Sequence, residues 1–311
     1  MSGPPGTQRG SGEVPLRAAA TVMLVRDAPP PSGGSPVLEV LMVRRNLNSD
    51  FVGGAYIFPG GSVDLADGGA EAEACCQGRS DAEASELLGI DAGGLAYWVA
   101  VLRECFEEAG VLLAYGPDGD PVSFADPDTE ARFAAHRRAL NAGEVRFLDL
   151  CRDEGLRLAV DRVHYFSHWI TPEGMHRRYD TRFFVAAAPA DQTPAHDDHE
   201  LIAEVWLRPS EALRRHREGE LEIIFPTIRN LQAVDRFATS DALLEAAATA
   251  GRIPVIQPHV VADGRGVRIV LPGDSGYDEA VGTPSGLDPD QVTDVIRAVS
   301  QAANQEPGPG R

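Results

Sequence analysis

The sequence predicts an α/β fold in which a β-sheet is interrupted by helices and then resumes. Three observations indicate this class: apolar, β-rich runs near the amino terminus, a long amphipathic helix in the middle of the chain, and further β-rich runs after a helical segment. The chain has 311 residues, of which 43% are hydrophobic, and this is enough to bury a sizeable core.

The first element is an antiparallel hairpin. Residues 1–15 are rich in Gly, Pro and Ser and predict a disordered tail, because such a segment buries too little apolar surface to offset its ordering entropy. Two β-rich runs follow at 16–25 and 37–43. The Pro- and Gly-rich stretch between them, 29–34, is typical of a loose loop, so the two strands are expected to pair.

A glycine loop and a long helix come next. The short apolar strand 55–58 stops at a Pro-Gly-Gly sequence, residues 59–61, where glycine permits positive φ and a close approach of the backbone to a ligand. In residues 95–109 the apolar side chains recur at helical spacing, and Gly110 stands at the position of a C-cap glycine. This pattern predicts a helix with one buried face, followed by a strand at 111–115.

The remaining elements follow from capping residues and apolar alternation. Asp126 and Pro127 are typical of a helix start, and the two helices predicted from there form a helical insertion at about 126–154. The later predicted elements are strands at 163–170, 181–188 and 201–207, helices from 209, at 227–237 and at 241–248, and a β-like segment at 259–271. Residues 273–311 predict a weakly ordered tail, in which 291–303 is patterned as an isolated amphipathic helix.

Charge and cysteine content narrow the function. The formal net charge is −19, so the chain repels polyphosphate backbones and nucleic-acid binding is not expected. No lysine occurs among the 28 basic residues, which disfavours Schiff-base and pyridoxal-phosphate enzymes and P-loop NTPases. The four cysteines lack CxxC spacing, and there is neither a signal-like apolar region nor a long apolar run, so we expect a cytoplasmic protein without a membrane partner.

The candidate chemistry lies in residues 103–110, which read Arg-Glu-Cys-Phe-Glu-Glu-Ala-Gly. At about 100° per residue, Glu104, Glu107 and Glu108 share one arc of the predicted helix. Neighbouring carboxylates repel one another, and a hard divalent cation such as Mg²⁺ or Mn²⁺, which takes oxygen ligands and phosphates together, relieves that repulsion. On these residues alone, a solvated acidic face is the alternative.

Together with the upstream glycines, this stretch resembles the signature of Nudix hydrolases: Gly, five residues, Glu, seven residues, then Arg-Glu-apolar-any-Glu-Glu-any-Gly-apolar. The second half matches in full, with Cys105 in the apolar position. Counting from Gly61 places Asp67 where the first Glu is expected, and Arg103 lies 28 residues beyond its expected position, 75. The signature therefore contains an insertion, at about 68–95.

An interrupted signature of this kind is similar to the branch typified by nucleoside diphosphate-linked moiety X motif 19, whose members are acyl-CoA diphosphatases. The insertion is rich in Ala, Glu and Gly and predicts one short helix at about 82–88. Further similarity is spread over residues 40–45, 169–172, 178–184, 206–212 and 225–227. The resemblance implies a Nudix-type α/β/α sandwich with a mixed central sheet and helical insertions, and we take 16–272 as the domain.

The resemblance also implies metal-dependent hydrolysis of a diphosphate bond in a nucleoside diphosphate linked to another group. By this resemblance the three helix glutamates would hold Mg²⁺ or Mn²⁺, Arg103 would orient them, and Gly60 and Gly61 would shape the pocket. In the family a further base or metal ligand often comes from a late loop. Here that loop is 197–200 and Glu200 is the candidate, with a solvated polar turn as the alternative.

The expected substrate is CoA or an acyl-CoA, which would yield 3′,5′-ADP and (acyl-)4′-phosphopantetheine. Because arginines suit bidentate contacts with phosphate, Arg44, Arg45, Arg178 and Arg182 are candidate substrate ligands. For each of them a surface salt bridge is the alternative.

Two other functions stay open. ADP-ribose or a nucleotide sugar is the alternative substrate within the family, and a non-catalytic nucleotide-binding sensor is the alternative of another class. The full glutamate motif argues against a sensor, whereas Asp67 and the insertion argue for one. The expected partner is a small-molecule nucleotide, and a homodimer is left open.

Overall fold

A computed structural model describes residues 14–29, 35–47, 53–196, 200–264 and 266–302. Its strands are β1 (Leu16–Ala28), β2 (Val37–Arg45), β3 (Tyr56–Ile57), β4 (Gly60–Ser62), β5 (Ala114–Tyr115), β6 (Arg157–Leu158), β7 (Val163–Ile170), β8 (Arg178–Ala187), β9 (Leu201–Leu207), β10 (Val255–Ile256), β11 (His259–Asp263) and β12 (Gly266–Val270). Its helices are α1 (Gly69–Cys75), α2 (Asp81–Leu88), α3 (Leu95–Ala109), α4 (Pro127–Asn141), α5 (Phe147–Asp153), α6 (Pro209–Arg217), α7 (Phe225–Val234), α8 (Ser240–Ala248), α9 (Tyr277–Ala280) and α10 (Pro289–Ala302).

Eight of the strands form one mixed sheet. Along its main path the order is β10-β7-β8-β1-β2-β3, with β4 paired to β1 and β9 paired to β2. Strand β1 lies antiparallel to β2 and parallel to β8, so it occupies the centre of the sheet. The predicted hairpin and the mixed central sheet are therefore confirmed, although the hairpin residues 30–34 lie outside the described part of the chain.

Helices cover both faces of this sheet, as an α/β/α sandwich requires. Side chains of β1 alternate between two cores: Val22 and Leu24 pack with α3 on one face, whereas Met23 and Val25 pack with α6, α7 and α8 on the other. Because both faces are covered, the strand is apolar on both sides and reads as a continuous hydrophobic run. Within the described residues, no helix combines the length and the hydropathy needed to cross a bilayer.

Helix α3 has the bounds that the sequence predicts, and Gly110 ends it in a left-handed conformation with φ 70°. The segment after it differs from the prediction, because only Ala114 and Tyr115 of the expected strand 111–115 are in a strand. The backbone of Leu112 is instead held by a side chain: its N–H donates to Oε1 of Gln192 at 2.8 Å, and its carbonyl accepts from Nε2 at 3.0 Å.

The predicted glycine loop is a short strand, β4, which lies antiparallel to β1. Gly60 has φ 156°, and a Cβ atom on it would lie 2.4 Å from the carbonyl oxygen of Ala20. Glycine is therefore required at this position both by its positive φ and by the close approach of the two strands.

The insertion within the signature folds as two helices, α1 and α2, where the sequence predicts one. It also supplies the start of α3, because the Asp81 carboxylate accepts hydrogen bonds from the backbone N–H groups of Gly93 and Leu95, both at 3.0 Å. An acidic side chain at this position complements the unpaired N–H groups and the dipole of the helix. The insertion is therefore joined to the helix that carries the glutamates.

The helix predicted at 291–303 is present as α10 but is not isolated. Val292 is fully buried and packs with Met175 and Val260, and Nε2 of His216 lies 3.0 Å from the carbonyl oxygen of Ser300. These contacts join α10 to the rest of the fold. The domain limits at 16 and 272, and the tails predicted outside them, stay predictions.

Candidate active site

The three glutamates of α3 lie where this helix meets β4. Glu108 is buried, with 4% of its surface exposed, and its Oε2 accepts a hydrogen bond from the backbone N–H of Gly60 at 2.8 Å. A Cβ atom on Gly61 would lie 2.4 Å from Oε1 of Glu104. The absence of side chains on β4 therefore lets both carboxylates approach the sheet, and the structure brings together the glycines and glutamates that the sequence singles out.

The acidic arc is not a solvated face, so that alternative is wrong. The side chain of Glu104 is 13% exposed and that of Glu107 is 23% exposed, while Glu108 is more deeply buried. Burying a carboxylate is unfavourable unless it is paired and hydrogen-bonded. The fold therefore has to compensate several negative charges in one place.

Arg103 provides most of that compensation. Its Nε and Nη2 donate to the two carboxylate oxygens of Asp67, each at 2.9 Å, in a bidentate pair. Its Nη1 donates to Glu104 at 2.9 Å and to Glu107 at 3.1 Å, and its Nη2 also reaches the carbonyl oxygen of Ser62 at 2.9 Å. Asp67, which stands where the signature expects a glutamate, thus provides a carboxylate that fixes the arginine, and the arginine orients two of the glutamates.

The protein nevertheless does not fully stabilise the ionised forms of the three glutamates. Burial raises the pKa of Glu104 to about 7, with Glu107 and Glu200 adding to the rise and Arg103 opposing it. Burial also raises the pKa of Glu107, and it raises that of Glu108 well above its ordinary value, where the charge of Glu104 adds to the effect. A cation placed among these carboxylates would stabilise their ionised forms.

The donor chemistry of the site fits a hard divalent cation. Among the described residues, no three or more His, Cys, Asp or Glu side chains are already arranged as a metal site. Glu104 and Glu108 supply buried carboxylate oxygens with raised pKa values, and the charge of Glu200 acts on both of them. Oxygen donors of this kind are those that Mg²⁺ and Mn²⁺ prefer. Glu107 is held by Arg103 at the edge of this group.

The segment that carries Glu200 is tied to neighbouring elements, and the charge of Glu200 acts on Glu104 and Glu108. The backbone N–H of Ala195 donates to the carbonyl oxygen of Ala109, at the end of α3, at 2.9 Å. The carbonyl oxygen of Glu200 accepts from the N–H of Asn46 at 2.8 Å. The other residues of the predicted late loop, 197–199, lie outside the described part of the chain.

Two residues outside the glutamate motif hold the carboxyl end of α3. Arg137 of α4 donates from Nε to the carbonyl oxygen of Glu107 at 2.9 Å and from Nη2 to that of Glu108 at 2.7 Å. Asn141 donates to the same Glu107 oxygen at 3.2 Å. A cation at the carboxyl end of a helix complements the helix dipole as well as its unpaired carbonyl groups. No local spacing signals this contact, because α4 lies in the helical insertion.

A cavity of about 1160 Å³ begins on β4 and extends to α10. Gly60, Gly61 and Ser62 line one end of it, and α10 forms part of its wall. Aromatic side chains from the sheet and from α7 also line it: Trp169, Tyr179, Phe183 and Phe225. The α3 glutamates contact β4 but do not line the cavity, so the two features meet at the glycines. We call this meeting point, formed by Gly60, Gly61, Glu104 and Glu108, the β4 junction.

One of the predicted substrate arginines, Arg45, lies near this junction. Arg45 lines the cavity, and its charge lowers the pKa of Glu108. Arg44 is next to it on β2, where its Nε donates to the carbonyl oxygen of Gly54 at 3.2 Å and its guanidinium lies 5.8 Å from the ring centre of Tyr56.

The other two predicted substrate arginines on β8, Arg178 and Arg182, do not lie beside the α3 glutamates. Arg178 is buried and donates from Nε to the carbonyl oxygen of Thr171 at 3.1 Å, and it does not line the cavity. Arg182 is also buried and contacts Asp180 and His168. Since successive side chains of a strand point to opposite faces, Arg182 of β8 lies on the face away from Thr181, which lines the cavity.

Comparisons with known proteins agree with the resemblance that the sequence motif indicates. Residues 80–234 match the family described as NUDT19 Nudix domain. The chain is 29% identical over 267 residues to "Acyl-coenzyme A diphosphatase NUDT19" of Gallus gallus, which covers 73% of this chain and 70% of that protein. It is 26% identical over 262 residues to the Homo sapiens protein of the same name, covering 72% and 69%.

The chain is also similar to a third relative, over a shorter length, and to a protein of known structure. The Xenopus laevis protein of the same name is 25% identical over 235 residues, covering 66% of this chain, and the chain spans 62% of its length. The crystal structure of a NUDIX hydrolase from Alicyclobacillus acidocaldarius superposes with a TM-score of 0.58 at 26% identity. That superposition covers 76% of this chain and 99% of the other.

Proposed function

The chain belongs to the Nudix hydrolases and resembles their NUDT19 branch, and from that premise we propose that it hydrolyses the diphosphate bond of CoA or an acyl-CoA in a metal-dependent reaction. The β4 junction carries the proposal, because there buried carboxyl groups whose ionised forms the protein does not fully stabilise meet the end of a large cavity. The names of the relatives in three vertebrates support the substrate class.

The α3 glutamates and Arg103 prepare the site for a polyanion. Glu104 and Glu108, with Glu107 beside them, would hold Mg²⁺ or Mn²⁺, which when bound supplies positive charge to the diphosphate and lowers the pKa of a coordinated water. Arg103 keeps Glu104 and Glu107 in one orientation, and the Gly60 N–H fixes Oε2 of Glu108. Glu200 is the general base in this proposal, since it is exposed and close enough to influence two glutamates.

The cavity supports a substrate larger than a simple nucleotide. Its volume of about 1160 Å³ exceeds the ~300–1,000 Å³ typical of sites for drug-sized ligands. Its lining combines aromatic and aliphatic side chains with arginines, as a ligand with both apolar and phosphorylated parts requires. The proposed products are 3′,5′-ADP and (acyl-)4′-phosphopantetheine.

The compartment proposed for this reaction is the cytoplasm. All four cysteines are free, with Cys76, Cys105 and Cys151 buried, and this supports a reducing environment.

The decisive experiment is product analysis by mass spectrometry after incubation with Mg²⁺ or Mn²⁺. The panel contains CoA, an acyl-CoA, ADP-ribose, NADH and a dinucleoside polyphosphate. We expect preferential release of 3′,5′-ADP from CoA or the acyl-CoA. Glu108→Gln should lower turnover by about 10²–10³-fold, because it removes a charged oxygen from the junction. Glu86→Gln, at an exposed position of α2, is the matched control.

Each other outcome changes the conclusion in a defined way. Preferential cleavage of ADP-ribose would keep the chemistry and reject the CoA substrate. Nucleotide binding without metal-dependent turnover would favour a sensor. Full activity in Glu108→Gln would contradict the role of the β4 junction.

A further inference from the structure

The charged groups that line the cavity differ in sign from the protein as a whole. The chain has a formal net charge of −19. The arginines that line the cavity are Arg45, Arg177, Arg217 and Arg297, and the acidic residues that line it are Glu222 and Asp290. A concentration of arginine in a cavity of an acidic protein focuses positive potential there and favours an anionic ligand.

Helix α10 contributes one whole face to this cavity. Asp290, Thr293, Arg297 and Ser300 line it, and they are spaced by three or four residues, as on one side of an α-helix. The helix is attached near both ends by buried contacts: Val292 packs with Met175 and Val260, and His216 contacts the carbonyl oxygen of Ser300. Packing contacts therefore fix α10 as a part of the fold, although the helix lies outside residues 80–234, which match the family.

The contact near the carboxyl end of α10 brings two arginines to one region. Arg217 follows His216 in the chain, and Arg297 precedes Ser300 by one helical turn, while His216 and Ser300 touch. Among the described residues, Arg217 has no hydrogen-bond or ion-pair partner. Arg297 pairs with Asp294 at 3.0 Å, but the two side chains are 59% and 74% exposed, and such a surface pair is weak. Both guanidinium groups are therefore available to a ligand.

We propose that α10 is a wall of the substrate site and that Arg217 and Arg297 bind a phosphomonoester of the nucleotide, separate from the diphosphate that is hydrolysed. The inference rests on the proposed function, because it concerns the same cavity. Arginine suits this task, since its planar fork donates two hydrogen bonds to one phosphate. The β4 junction lies at one end of the cavity and α10 forms another part of its wall, so a single elongated substrate would contact both. CoA carries such a phosphomonoester at its 3′ position, and ADP-ribose does not.

The first test measures binding without turnover. The intact chain in EDTA is titrated with 3′,5′-ADP and with AMP, which differ only in the 3′-phosphate, and tryptophan fluorescence reports binding because Trp169 lines the cavity. We expect 3′,5′-ADP to bind at least about tenfold more tightly than AMP, as charge-assisted hydrogen bonds to phosphate provide. The double variant Arg217→Ala/Arg297→Ala should bind both nucleotides equally.

Arg215→Ala is the matched control. Arg215 lies two residues from Arg217 on the same helix, pairs with Glu220 at 2.9 Å and does not line the cavity. This control should keep the preference for 3′,5′-ADP. Equal binding of the two nucleotides by the unsubstituted chain would overturn the proposal, and so would an equal loss of preference in the control and in the double variant.

The second test separates this inference from the proposed function. The double variant should raise the KM for CoA about tenfold, leave kcat unchanged, and leave the KM for dephospho-CoA unchanged. Hydrolysis of CoA and dephospho-CoA with the same KM by the unsubstituted chain would reject the inference and keep the proposed function. Failure to hydrolyse either compound would reject the proposed function, and the nucleotide titration would then decide the inference by itself.

Discussion

Charged side chains on the two sides of β4 differ in whether they have partners. On the α3 side, Arg103 makes hydrogen bonds of 2.9 to 3.1 Å with Asp67, Glu104 and Glu107, and Glu108 accepts from the backbone of Gly60. On the cavity side, Arg217 is exposed and free of partners among the described residues. The difference indicates that the groups proposed for the chemistry are oriented before a substrate arrives, whereas a group proposed for recognition stays available to it.

The largest expected effect on stability comes from removing Arg103, which pairs with the carboxylates on the α3 side. Arg103→Leu leaves the buried carboxylate of Asp67 and two glutamates without their cation, so the free energy of unfolding at pH 7 should fall by about 3–5 kcal/mol. Urea unfolding of the metal-free protein measures this change. Arg217→Leu on the cavity side should change the free energy by less than ~0.5 kcal/mol, and similar losses in both variants would break the comparison.

The second prediction concerns how the free energy of unfolding depends on pH. The arginines on the cavity side do not contribute to this dependence, because they do not titrate near neutrality. Because the pKa of Glu104 is raised from 4.5 to about 7, the folded state binds a proton more readily than the unfolded state. The resulting stabilisation is fully present below pH 4.5 and is lost as the pH rises through 7.

For the metal-free protein, the expected loss is on the order of 3 kcal/mol between these pH values, from ~1.36 kcal/mol per pKa unit. Chemical unfolding in EDTA at pH 4.5, 6 and 8 measures it, and Glu104→Gln should reduce the loss without abolishing it, because the pKa values of Glu107 and Glu108 are also raised. A free energy of unfolding that rises steadily from pH 4.5 to 8 would contradict the burial of this carboxylate.

The third prediction tests the β4 junction at its narrowest point. Gly61 is not among the glycines with positive φ, so alanine fits its backbone, but the added Cβ would lie 2.4 Å from Oε1 of Glu104. Gly61→Ala should therefore displace this carboxylate and lower kcat about 10²-fold, as a misplacement of roughly 1 Å does.

Gly251→Ala is the matched control, because nothing lies within 4 Å of the position of its Cβ. Steady-state kinetics with the substrate identified by the panel compares the two variants. Equal kcat values would show that Glu104 does not depend on the bare backbone of β4.

The smallest effect is expected at the outer support of α3. Arg137→Ala removes two hydrogen bonds to the carbonyl oxygens of Glu107 and Glu108, and the affinity for Mn²⁺ should fall about 10–100-fold, as is typical when groups supporting metal ligands are removed. Calorimetric titration measures the affinity. Arg138→Ala, at the neighbouring exposed position, should leave it unchanged. An unchanged affinity in both variants would limit the role of α4 to stability.

The parts of the fold that local patterns specify were predictable. The apolar spacing and the C-cap glycine of α3, the hairpin of β1 and β2, and the helical start at Asp126 all depend on residues close in sequence. The same holds for the arc of Glu104, Glu107 and Glu108, because helical periodicity alone places them together. These features appear in the structure where the sequence predicts them.

The contacts that support the site were not predictable in this way. Arg137 comes from α4, Asp81 from the insertion, and the Gln192 side chain bonds the backbone of Leu112, where a strand is expected. Each of them pairs a side chain with backbone groups far away in the sequence. No periodicity encodes such a pair, because it depends on how the helices dock on the sheet.

The sequence by itself determined the α/β class, the glutamate helix and its resemblance to the Nudix hydrolases, because each follows from spacing within a short stretch. Only the tertiary structure decided which charges are buried, that Gly60 and Gly61 form a strand against β1, and that Arg45 meets the cavity whereas Arg182 faces away. It also decided that α10 lines the cavity, since burial and pocket shape arise from the packing of elements that are distant along the chain.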